Sequence, residues 1–130
     1  MNQELKQAIE AKQIAYSPYS NFEVGAILKC KNGNIYRGCN IENNGIQSIC
    51  AERTAFAKAL SEGEREFESI TVVGSEKGKD IDEECLPCGY CRQFISEFVD
   101  KEFKIITYDG KEIKEYKIDE LLPHSFKLDK

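Results

Sequence analysis

Three of the six cysteines in this 130-residue chain stand where thiols can do chemistry. Cys88 and Cys91 lie in Pro87-Cys88-Gly89-Tyr90-Cys91, a Cys-x-x-Cys pair whose sulfurs can close on one metal ion. Cys50 opens Cys50-Ala51-Glu52-Arg53. The apolar spacing after each motif predicts a helix, which places all three thiols at helix starts. The partial positive charge of a helix N-terminus lowers thiol pKa and makes thiolates available. Two such starts facing each other would present three thiolates. Three protein ligands with one open position are the pattern of a catalytic zinc site. Glu52, two residues after Cys50, does not share its face of the helix. It can stand beside a bound metal without ligating it, and a carboxylate there can take a proton and return it elsewhere. Taken without the cysteines, Glu52 would read as a charge that favours the helix start.

Cys85 leaves two other readings open. With Cys88 and Cys91 it forms Cys-x-x-Cys-x-x-Cys, a spacing used by iron–sulfur clusters, although Arg92-Gln93-Phe94 supply no fourth thiol. With Cys50 as the fourth ligand, the same residues would form a closed, structural zinc site. Cys30 and Cys39 fall on regular strand faces, where a free thiol is ordinary, and carry no assigned role.

These residues need a scaffold, and the pattern of the chain predicts one. Residues 2–16 read as a helix with Leu5, Ala8, Ile9 and Lys12 on one side. Ser17-Pro18-Tyr19-Ser20-Asn21 breaks it. Alternation from Phe22 to Cys30 predicts a strand, Asn32-Gly33 a hairpin turn, and Ile35 to Glu42 a second strand. Ser48 is the expected cap of a helix running to about Leu60. Ile70-Thr71-Val72-Val73 is apolar throughout, as suits the middle of a sheet. A polar, acidic stretch from Gly74 to Glu84 reads as a surface loop, and Pro87 opens the next helix. Strands Phe103 to Tyr108 and Glu112 to Lys117 flank Asp109-Gly110, and a short helix follows around Asp119 to Leu122. Strands alternating with helices predict an α/β domain layered around a mixed sheet. The length fits one domain, residues 1–130.

Composition narrows the partners. Basic residues number 18 and acidic residues 23, a net charge of −5. That balance disfavours a polynucleotide or an anionic membrane and points to a small, near-neutral ligand. The charged N-terminus does not read as a signal peptide, and no apolar run reaches the ~18–20 residues of a membrane span. The expected location is the cytoplasm, where six cysteines suggest metal binding or catalysis rather than disulfides.

The sequence resembles the small cytidine deaminases. Cys50-Ala51-Glu52-Arg53-Thr54-Ala55 together with Pro87-Cys88-Gly89-Tyr90-Cys91-Arg92-Gln93 is similar to their zinc motif. Ala15 to Ala26 resembles the family's N-terminal segment, and Gly38-Cys39-Asn40-Ile41-Glu42-Asn43 resembles its ribose-binding strand. Leu121-Leu122-Pro123 with Phe126 resembles its C-terminus. The resemblance spans nearly the whole chain, with four motifs in order. It implies a three-layer α/β/α fold with a mixed five-stranded sheet, and a homotetramer. It implies one Zn2+ per chain held by Cys50, Cys88 and Cys91, with Glu52 as the catalytic proton shuttle. Phe22 would line the pyrimidine pocket, and Asn40 and Glu42 would hydrogen-bond the ribose hydroxyls. Phe126 would reach into a neighbouring subunit's site. Asn40 and Glu42 lie two apart on a predicted strand, which puts them on one face. Arg53 carries a charge role: three thiolates outweigh a divalent cation, and a guanidinium hydrogen-bonded to the sulfurs would drain the excess.

The implied reaction is hydrolytic deamination of cytidine and deoxycytidine in pyrimidine salvage, breaking a cyclic amidine C–N bond. A deaminase of the blasticidin type shares such a zinc core, but would have no use for a ribose-binding pair. A zinc-stabilised binding module would need no Glu52, and nucleic-acid editing sits poorly with the acidic charge. Two positions depart from the family pattern. Tyr90 stands where a small residue is usual, and the 44–49 stretch is one residue shorter and lacks an aromatic. Both bear on substrate range and subunit contacts; neither touches the metal ligands or Glu52.

Overall fold

The computed structural model describes residues 2–126. The elements run α1 (Gln3–Lys12), β1 (Phe22–Cys30), β2 (Ile35–Cys39), α2 (Ala51–Ser61), β3 (Phe67–Glu76), α3 (Gly89–Ser96), β4 (Lys104–Tyr108), β5 (Ile113–Lys117) and α4 (Ile118–Leu121). The five strands form one sheet in the order β2-β1-β3-β4-β5. Only β3 and β4 are parallel, and α3 supplies the crossover that a parallel pair requires. The mixed α/β architecture expected above is therefore present.

Both faces of the sheet are covered. Ala26 and Leu28 of β1 point to the side of α2 and α3, into a core with Phe56, Phe67, Ile95 and Phe103. Ile27 of β1 and Val73 of β3 point the other way, against Leu5 and Ala8 of α1. This double burial explains why the central strands have apolar residues on both sides. Phe56 is the hub of the larger core, with the rings of Phe67, Phe94, Phe98 and Phe103 at centroid distances of 5.1 to 6.2 Å.

Several boundaries differ from the sequence expectation. Helix α1 stops at Lys12, four residues early, because Tyr16 leaves the helix to bridge Ile41. Its start is fixed by Asn2, whose side chain accepts a hydrogen bond from Leu5 N at 2.8 Å. Lys12 lies on the buried face because its ammonium meets Glu23, 3.7 Å away. Strand β2 ends at Cys39, and residues beyond it pair only through isolated bridges at Ile41. Strand β3 is longer than its apolar centre and runs on to Glu76 through Gly74 and Ser75, both buried.

Two glycines let the layers approach. A Cβ on Gly25 would lie 2.1 Å from Ala8 O in α1, and one on Gly38 would lie 2.3 Å from Ala51 O in α2. Gly38 therefore sets how closely the first turn of α2, which carries Glu52, sits on the sheet. The obstructing atoms are backbone and cannot rotate away. Gly38→Ala is expected to destabilise the protein by about 1–3 kcal/mol or more, the usual scale of overpacking, and to reduce bound zinc after purification. A melting curve and metal content like those of the unmodified protein would contradict this.

Candidate active site

Cys50 and Cys88 are the N-cap residues of α2 and α3, with extended backbones (φ −73°, ψ 155° and φ −67°, ψ 169°). Neither side chain caps its helix, which leaves each sulfur available for other partners. Cys91 lies one turn into α3 and is fully buried. The three Sγ atoms lie within 4.8 Å of one another. Cys85 is not in this group. Its sulfur packs near Gly74 instead, where a Cβ would meet it at 2.9 Å. Burial pushes the Cys85 thiol up to about 12. The expected cap, Ser48, is displaced by Cys50; its hydroxyl instead accepts from Asn43 N at 3.1 Å.

The crowded sulfurs share their protons unequally. Cys50 is pulled down, first by a hydrogen bond from Cys91 and then, against the opposing effect of burial, by Arg53. Cys91 is pushed up, first by that same hydrogen bond and then by burial. A thiolate at Cys50 makes a second thiolate beside it costly, and a divalent cation between them removes that cost. Soft donors on one small patch, with one already inclined to ionise, fit Zn2+. Arg53 lies three residues after Cys50, on the same side of α2. Its Nη2 donates to Ser48 O at 3.0 Å and lies 3.9 Å from Cys50 Sγ. Its Nε is buried without a hydrogen-bond partner.

Glu52 is 4 % exposed. Burial pushes its carboxyl up to about 7, and the Cys50 charge adds to the rise. A carboxyl so placed can both accept and release a proton near neutrality.

Three of the other expected site residues, Asn40, Glu42 and Phe22, are joined by hydrogen bonds at the start of β1. Asn40 Oδ1 accepts from Val24 N at 2.9 Å, and its Nδ2 donates to Phe22 O at 2.8 Å. Asn40 thus clips the start of β1 beyond the end of β2. Glu42 accepts from Tyr19 N at 3.0 Å, Ser20 N at 3.1 Å and Ser20 Oγ at 2.6 Å. The Ser20 hydroxyl bond, first among these, holds the Glu42 carboxyl below its usual range. Ser20 Oγ also accepts from Phe22 N at 3.0 Å. One network therefore ties Glu42, Ser20, Phe22 and Asn40 together. Phe22 is 38 % exposed, and its ring faces Gly74, where a Cβ would lie 2.9 Å from Cε2. It lines a cavity of about 170 Å³ with Gly74, Ser75 and Glu84. Phe126 is 64 % exposed. Ser20 carries no signal of its own in the sequence, where it lies within the Ala15–Ala26 segment; only its contact with Glu42 gives it a role. Tyr90, noted as a departure, stacks on Arg53.

An α/β/α protein whose two helix starts converge on three thiols and a buried carboxylate is built as a metal-centred enzyme. Comparison with known proteins agrees. Residues 2–107 match the model of the cytidine and deoxycytidylate deaminase zinc-binding region. The chain is 42% identical over 124 residues to a cytidine deaminase of Sporosarcina psychrophila, covering 94% of this chain and 88% of that one. It is 44% identical to the cytidine deaminase of Halalkalibacterium halodurans, covering 94% and 90%. The crystal structure of cytidine deaminase from Burkholderia pseudomallei superposes with a TM-score of 0.86 at 36% identity, covering 97% of this chain and 100% of that one. The chain belongs to the cytidine and deoxycytidylate deaminase family, and its cofactor is one Zn2+ per chain.

The sulfur geometry yields a direct expectation. Cys50→Ala, Cys88→Ala and Cys91→Ala should each lose zinc on purification, whereas Cys85→Ala should retain one equivalent. Metal analysis decides it: an empty Cys85→Ala protein would mean a closed four-thiolate site.

Proposed function

We propose that residues 1–130 act as one catalytic domain that hydrolyses cytidine and deoxycytidine to uridine and deoxyuridine with release of ammonia, in pyrimidine salvage. The observation that carries this reading is a buried carboxyl, Glu52, beside three thiols that fit one zinc ion. Cys50, Cys88 and Cys91 hold the metal. Bound there, zinc supplies a Lewis acid that makes water nucleophilic near neutral pH. Glu52 takes a proton from the water and delivers it to ring N3, which makes C4 more electrophilic. The oxygen of that water adds to C4, and Glu52 takes the remaining proton from the new C4 hydroxyl and carries it to the 4-amino group; the C4–N bond then breaks, releasing ammonia as the C4 carbonyl forms. Because its carboxyl sits near neutrality, both directions of transfer are accessible. Arg53 offsets the excess negative charge of the thiolates.

Phe22 packs the base, and Asn40 and Glu42 take the ribose hydroxyls. Asn40 already bonds the start of β1 and Glu42 the loop before it, yet Asn40 Oδ1 and Glu42 Oε2 each accept only one of these bonds and keep a second lone pair for a ligand. Their presence favours a nucleoside over a blasticidin-type substrate. The acidic balance of the chain disfavours nucleic acid. Among the described residues, no helix is long and apolar enough to cross a membrane, and the enzyme works in the cytoplasm. It functions as a homotetramer in which Phe126 of a neighbouring copy completes each pocket; the exposure of its ring in the single chain supports this.

Zinc-loaded protein should deaminate cytidine and deoxycytidine and leave cytosine and blasticidin S unchanged; turnover of blasticidin S alone would replace this reading with its rival. Glu52→Gln should keep zinc and lose about 10⁴-fold or more in kcat, the upper end for a positioned acid–base group serving several transfers. Retained turnover in zinc-replete Glu52→Gln would remove Glu52 from the chemistry.

Phe126→Ala should lower kcat/KM by about 5- to 150-fold, the scale of one ring–base stack, with zinc content intact. Co-expression of Phe126→Ala with Glu52→Gln should yield mixed assemblies more active than either variant alone. No gain in verified mixed assemblies would show that Phe126 does not complete the site between copies.

A further inference from the structure

Tyr90 lies between the two cysteines of the Cys-x-x-Cys turn. Successive residues of a helix point in different directions, and here Cys91 turns into the core while Tyr90 turns outward, 67 % exposed. The ring is not idle. It lies over the guanidinium of Arg53, whose carbon is 4.5 Å from the ring centroid. Arg53 belongs to α2 and Tyr90 to α3. The stack therefore joins the two helix starts that carry the thiols, on the outer side of the sulfur cluster.

Arg53 needs such a partner. One edge of its guanidinium is directed by Ser48 O and Cys50 Sγ, while Nε has no hydrogen bond. Both of these contacts fall on Nη2, the one to Ser48 O at 3.0 Å and the one to sulfur at 3.9 Å, so they fix one corner of the guanidinium and leave the face of its plane without a partner from α2. An aromatic face over the cation attracts it electrostatically and shields it from water, which strengthens its field at the sulfurs. A small side chain at position 90 would leave that face open.

We propose that Tyr90 is a positioning residue for the metal centre: its ring holds the Arg53 guanidinium against the thiolates and thereby tunes zinc affinity and turnover. The proposal rests on the deaminase reading only for the turnover measurement; the affinity measurement needs no substrate.

The test uses Tyr90→Phe, Tyr90→Leu and Arg53→Met, alone and combined, with Zn2+ competed against a chromophoric chelator. A ring–cation contact at an exposed site corresponds to about a 2- to 5-fold change in an equilibrium constant. Tyr90→Leu should weaken zinc binding by that factor and lower kcat for cytidine with KM unchanged. Tyr90→Phe, which keeps the ring, should restore the affinity. In the Arg53→Met background, Leu and Phe at position 90 should bind zinc equally. Equal affinities of Tyr90→Leu and the unmodified protein would overturn the proposal. So would a loss shared by Tyr90→Phe, which would assign the effect to the hydroxyl. A rise in KM alone would make Tyr90 a substrate contact instead, again overturning it. If the zinc-loaded unmodified protein leaves cytidine intact, the deaminase reading fails, while a Leu–Phe split in zinc affinity still supports the positioning role. Thermal melting of each variant confirms that the exposed substitution leaves the fold intact.

Discussion

Three thiols held within 4.8 Å of one another cannot all ionise without help, and the rest of the site answers that constraint. Ionising Cys50 makes its neighbour Cys91 harder to ionise, because the two sulfurs lie so close that a second negative charge meets the first. Compensating charge comes from the metal the cluster fits and from the Arg53 guanidinium. The fold must therefore bring two helix N-termini together and keep a cation beside them. The close seat of α2 on Gly38 and the crossover through α3 meet the first demand. Ser48 O and the Tyr90 ring meet the second.

The same electrostatics frame Glu52. Removing its carboxyl from water raises its proton affinity, and the nearby Cys50 charge raises it further. A group that would be a plain carboxylate at the surface becomes one that can exchange protons near neutrality. The group around Asn40 and Glu42 is built on a different principle. Glu42 is tied by hydrogen bonds to the loop before β1 and Asn40 to the start of β1, so that Phe22 and the polar groups are positioned as one unit.

The sequence made the metal cluster legible because Cys-x-x-Cys and Cys-Ala-Glu are local patterns with fixed helical consequences. Strand β1 was legible to the residue, since alternation and an Asn-Gly turn bracket it. The end of α1 was not: residues after Lys12 keep helix-compatible side chains, and only the bridge of Tyr16 to Ile41, distant in sequence, draws the chain away. Ser48 looked like a cap because caps are read from residue type, whereas the backbone places that role on Cys50. Cys85 could not be separated from the cluster by spacing, because three evenly spaced thiols look alike until the chain bends one toward Gly74. Ser20 and the partner of Tyr90 were invisible for the same reason: their contacts cross between elements.

Zinc X-ray absorption on the purified protein tests the central claim most directly. Three sulfurs at about 2.3 Å and one lighter oxygen or nitrogen atom at about 2.0–2.2 Å are expected for an open three-thiolate centre. Four sulfurs around the zinc would contradict the account, because a closed site leaves no position at which Glu52 and a substrate could meet.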